Sequence, residues 1–212
     1  MPPVALTFEA PAAWLGIESL SGHLTGVPVP AGGTVTEVVY TPTSATVYLS
    51  GVPCGPGVAP AFVQSLGPAG YNRVKTPELV RVQHQDGRSI YVRCEVERGV
   101  DMVSLTSEGA MGQGWNPWNV PSWRVGPFSV LPDVSTGPTY KPHSLRFRAT
   151  QSIAELTPKN PSPFIQSLGA ALTEAGWTPR PLPAGTAWSI RDDTMVVSKD
   201  GARVDLRLYK SP

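Results

Sequence analysis

The chain has 212 residues, of which 41% are hydrophobic and only 16% charged, with 24 prolines and 21 glycines. That length holds one large or two small domains, and such turn-rich composition favours short strands over long helices. The net charge of +1 argues against a protein whose main task is gripping nucleic acid, which needs clustered Lys and Arg.

Charge is unevenly spread. Residues 1–72 hold Glu9, Glu18 and Glu37 and no Lys or Arg, and Arg73 is the first base. Solubility normally rests on interspersed charge. So long a stretch without it implies a surface covered by a partner, or else a neutral Thr/Ser/Gly surface.

Residues 1–33 show little periodicity and read as an irregular N-terminal arm or lead-in. No signal peptide is expected, because Met1–Glu9 lacks a basic region and a continuous apolar stretch. No run approaches the ~18 apolar residues of a membrane span. Residues 34–50 predict a hairpin, with β-rich Thr34–Tyr40, a turn at 41–44, and alternation around Val47 and Leu49. A loop over 51–60 leads to a short helix at Ala61–Leu66, stopped by Gly67-Pro68.

A second hairpin follows. Leu79–His84 is strand-like, and Asp86-Gly87 predicts a two-residue turn. Ile90, Val92, Cys94 and Val96 then alternate with Tyr91, Arg93, Glu95 and Glu97, the pattern of a strand wet on one side. On this reading Cys94 is a buried thiol, and both it and Cys54 are expected to be reduced in a protein made in the cytosol. Asp101–Leu105, Val125–Leu131 and Leu145–Ala149 are further short strands around a Gly/Pro/Trp loop at 107–123. Segments 132–142 and 158–163 are candidate linkers.

Near the C-terminus, Ser162 can cap a helix opening at Pro163. Phe164, Ile165, Leu168, Leu172 and Ala175 form its apolar stripe and Gly176 its stop. Strands follow over Thr186–Arg191, Met195–Ser198 and Arg203–Tyr209. The expected fold is therefore a β-rich α+β chain. A mainly antiparallel β domain (34–149) precedes a small unit (150–212) of one helix on a three-stranded antiparallel sheet. The segments Phe62–Gly67 and Phe164–Gly169 also echo each other, each followed by Ala-Gly-aromatic and later by an Asp-Gly turn, which reads either as coincidence between short apolar helices or as a duplicated helix-plus-hairpin unit.

Motifs for chemistry are missing. His23, His84 and His143 lie about sixty residues apart, without a His-x-x-x-His or Cys-x-x-Cys, so no metal site is expected. Cys54 has no local base to activate it. Gly67–Thr76 fails as a phosphate loop because Val74, not Gly, precedes Lys75. Asp200-Gly201 lacks the alternating oxygens of a calcium loop, and Asp192-Asp193 reads as a turn. No catalytic residue and no cofactor is assigned.

The outstanding feature is the loop holding Trp115, Trp118 and Trp123, half of the six tryptophans, with Phe128 just beyond. Exposed Trp is enriched at interface hot spots. These four residues are the expected interface, unless the rings fold back to cap the β core. The expectation is a non-enzymatic structural subunit of a large assembly, contacting other protein subunits in a homo-oligomer or hetero-assembly. A phage virion component (capsid, neck or tail) made in a bacterial cytosol is the leading case. The alternatives are a carbohydrate- or ligand-binding module using the Trp loop, and an unrecognised hydrolase.

Overall fold

The computed structural model describes residues 3–6, 24, 26–52, 57–74, 80–97, 100–109, 123, 124, 126–134 and 142–210. They form two compact units, one from the described residues up to 109 and one from those beginning at 123. Both are β-rich and antiparallel, and each carries one α-helix.

In the first unit, β1 (Pro3–Ala5) pairs with β2 (Pro28–Pro30), so part of the expected lead-in is ordered as a small ribbon. The main strands are β3 (Thr34–Tyr40), β4 (Ser44–Ser50), β5 (Tyr71–Val74), β6 (Val80–His84), β7 (Ser89–Glu97) and β8 (Val100–Glu108). They lie in the order β3-β4-β8-β7-β6-β5. The helix α1 (Val58–Leu66) joins β4 to β5 and packs on β2, β5, β6 and β7. Period-two alternation explains the core. Val38, Val47, Leu105 and Val92 are register partners across four strands and are all buried, as are Phe62 and Leu66 of α1.

The β3–β4 turn closes as expected, with Ser44 N–H donating to Thr41 Oγ1 at 3.1 Å and Thr41 N–H donating to Ser44 O at 2.9 Å. The β6–β7 turn is longer than the expected two residues. Gly87 N–H and His84 N–H donate to His84 O and Arg88 O, both at 2.9 Å, and Gly87 alone has positive φ, at +89°. This is a three-residue loop whose bulge glycine takes the left-handed position. Asp86 keeps ordinary φ, which the mirror-image turn would have forbidden.

Cys94 corrects the sequence reading. It is exposed and disulfide-bonded rather than buried and reduced. Its register partner Val103 is buried, so alternation gave the side correctly. The cover that buries Ile90 and Val92 does not extend over Cys94. Cys54, the chain's other cysteine, lies outside the described residues.

The second unit contains β9 (Ser144–Arg148), β10 (Gln151–Leu156), α2 (Pro161–Glu174), β11 (Thr178–Leu182), β12 (Gly185–Ile190), β13 (Asp193–Asp200) and β14 (Arg203–Tyr209). Its sheet has six strands rather than three, in the order β9-β10-β14-β13-β12-β11. Of the strand expected at Val125–Leu131, Val125 lies outside the described residues and Gly126–Val130 is a 3-10 turn instead. Asn160, not Ser162, precedes the helix. The helix ends as expected. Gly176 has φ +88°, its N–H donates to Thr173 O at 3.0 Å, and Trp177 N–H donates to Leu172 O at 2.9 Å. This double closure satisfies the last carbonyls, with Trp177 buried beside Leu172.

The two sheets share one plan. Numbering the six main strands of each unit, with the β1–β2 ribbon left aside, both run 1-2-6-5-4-3, with the helix inserted between strands 2 and 3. The echo at Phe62 and Phe164 falls on the two inserted helices, and both rings are buried. The Asp-Gly turns are not equivalent, since Asp86-Gly87 joins strands 4 and 5 while Asp200-Gly201 joins strands 5 and 6.

Gly169 lets α2 approach its sheet, because a Cβ there would lie 2.9 Å from Trp188 Cζ2. Overpacking costs about 1–3 kcal/mol, against about 1 kcal/mol gained in helix propensity. Gly169→Ala should therefore lower stability by up to about 2 kcal/mol in denaturant titration. A gain would show that the buried indole yields freely.

Candidate interaction surfaces

Two of the four expected interface residues are now placed. Trp123 is 2% exposed and Phe128 0%. The Trp123 ring meets Phe128 (6.2 Å between centroids) and Phe164 of α2 (6.3 Å, 83°) edge-on, and Phe128 packs on Phe147 of β9. Edge-to-face rings at this spacing are a core arrangement. Arg124 fastens the following turn, its Nε donating to Leu131 O at 2.7 Å and a terminal nitrogen to Ser129 O at 3.2 Å. Trp115 and Trp118 lie outside the described residues.

At the β6–β7 tip, His84 Nδ1 is 2.9 Å from Asp86 Oδ1, and Arg88 Nε donates to Asp86 Oδ2 at 2.7 Å. The Asp86 amide lies 3.3 Å from the same His84 nitrogen. The shorter carboxylate contact requires that nitrogen to carry the proton and donate it. Desolvation pushes the Asp86 carboxyl up. The Arg88 amide, His84 and the Arg88 guanidinium outweigh it and hold the group at about 2. An Asp-oriented histidine resembles half of a catalytic triad. Here its Nε2 faces Gly70, where a Cβ would come within 3.0 Å, and Tyr71 leans against the ring at 5.2 Å. In this arrangement the imidazole helps to hold the turn.

In the second unit, a cleft of about 530 Å³ has apolar walls of Val130, Ala175, Trp177 and Ile190, and a charged rim of Arg191, Asp192 and Asp193. Asp192 lies in the β12–β13 turn, as expected, while Asp193 opens β13. Arg191 takes φ +50°, among the described residues the one non-glycine with positive φ. Among the described residues no three metal-ligating side chains converge, and no helix is long and apolar enough to cross a membrane.

The sheet faces away from the helices differ. In the first unit one cross-strand row reads Val39, Thr46, Thr106, Tyr91, Arg81. Thr46 and Thr106 hydroxyls bond at 2.9 Å, and Arg81 lies over Tyr91 while donating to Ser89. In the second unit the equivalent row reads Arg146, Ile153, Arg207, Val196, Ala187, Arg180. Beside it run Glu155 and Asp205, register partners, with Arg203 3.3 Å from Glu155. Burial raises the Asp205 pKa, and the Glu155 charge raises it further. Sequence reasoning missed both rows, since a row across strands is invisible until the register is known.

No family model matches the chain, and comparison with curated proteins and with solved structures finds no match.

Proposed function

We propose that the chain is a non-enzymatic structural subunit of a large protein assembly, acting through contacts with other protein subunits. A phage virion component of the capsid, neck or tail is the specific case. The observation that carries this reading is the uncharged stretch Val39, Thr46 and Thr106 of the first unit's outer row, on β3, β4 and β8. Threonine and tyrosine side chains cost little to desolvate, whereas covering a lone charge is expensive. A disulfide at Cys94 fits a particle that leaves the reducing cytosol, since such bonds persist on virion surfaces. Trp115 and Trp118 remain candidates for the contact, as Trp123 and Phe128 are taken up by the core.

The test is the state of the purified full chain, by light scattering and electron microscopy. A defined oligomer is the expected result. A chain that stays monomeric at its highest soluble concentration, with tryptophan fluorescence that shifts on adding oligosaccharide, would establish a ligand-binding module instead.

A further inference from the structure

We infer that the arginine row on the outer face of the second unit's sheet docks on the N-terminal unit of a second copy, so that subunits associate head to tail. This rests on the reading of the chain as an assembly subunit and names the partner and the surface.

Three observations point there. The first is the row itself. Register places Arg146, Arg207 and Arg180 in one line across six strands. At about 4.8 Å per strand they are spaced by roughly 10 and 14 Å. The second is the opposite balance of the two units. Before residue 118 the chain has six basic and nine acidic side chains, net −3; from there on it has eleven and seven, net +4. The two units of different copies are thus opposite in net charge, and complementary charge steers encounter and fixes register. A contact between different surfaces closes into a ring or runs on as a filament.

The third is that strand addition is disfavoured at β11 and at β5, one end of each strand order. Pro179 and Pro181 of β11 stand opposite Trp188 and Thr186. Having no N–H, they occupy the non-bonded pairs, so the outer edge of β11 lacks both donors. The outermost strand of the first unit, β5, has four residues and an exposed Arg73 opposite buried Val82, an inward-pointing charge that blunts an edge. At these two edges strand addition is disfavoured, so association there falls to the sheet faces.

The row suits a protein better than a nucleic acid. Its arginines are interleaved with Ile153, Val196 and Ala187, and the neighbouring row carries Glu155 and Asp205, carboxylates that repel phosphate. Polyanion grooves instead track the backbone with continuous base and stacking aromatics.

The experiment compares sedimentation of the full chain with that of Arg207→Glu, Arg180→Glu and Arg207→Lys at low and high salt, with thermal melts to confirm folding. Wild-type association should weaken about tenfold as the salt screens the contact. Each reversal should weaken it at least as much, and Arg207→Lys should stay near wild type. Association indifferent to salt and to both reversals overturns this surface while leaving the assembly reading intact. A wild type that never self-associates overturns both head-to-tail pairing and self-assembly. Arginine-dependent binding of a labelled single-stranded oligonucleotide, without self-association, would reassign the row to a polyanion.

Discussion

Trp123→Ala should destabilise the second unit by about 3–5 kcal/mol, the cost of removing a fully packed large aromatic. For a chain of this size each kcal/mol corresponds to roughly 2–4 °C in Tm. The ring is 2% exposed and touches Phe128 and Phe164 edge-on. It therefore joins the turn at Gly126–Val130 to α2, and alanine removes both contacts at once. Trp123→Phe should recover most of the loss, because a smaller ring can still meet both neighbours. The same pair of variants decides between core and interface. If Trp123→Ala melts like wild type but fails to assemble, the ring serves a partner and its packing within the unit is incidental.

Leu168→Ala should cost about 2–5 kcal/mol, the range for a buried leucine whose site cannot fully collapse. Leu168 is 0% exposed, midway along the α2 stripe between buried Phe164 and Leu172. The helix packs on β11 and β14, and Leu206 of β14 is buried together with its register partners Ala154 and Val197. Ser167→Ala, at an exposed position next door, should stay within about 0.5 kcal/mol of wild type. Urea titrations of the two give the comparison. A loss below about 0.5 kcal/mol at Leu168 would mean that α2 does not hold the sheet.

Local pattern carried the sequence reading where one element declares itself. The α2 stripe and its glycine stop, the alternation in β4, and the Val204, Leu206, Leu208 face of β14 were all legible, because each follows from one period in a few consecutive residues. The missed strands break that pattern for physical reasons. In β10 the buried residues are Ser152, Ala154 and Leu156 while Ile153 faces outward, so hydrophobicity points the wrong way. In β11, Pro179 and Pro181 read as non-strand, and they are tolerated because the strand is outermost in its order. For Trp123, burial depended on a helix about forty residues further along the chain, and for Phe128 on Trp123 and on Phe147 of β9.

The sequence alone determined the β-rich character, the positions of both helices and the skewed charge, all of which are written in nearest-neighbour spacing and composition. Only the tertiary structure decided the shared 1-2-6-5-4-3 plan, the exposure of Cys94, the burial of Trp123, and the alignment of Arg146, Arg207 and Arg180 in one row. Those depend on which strands pair and in what register. Pairing is fixed by the summed burial of distant residues, which no single segment encodes.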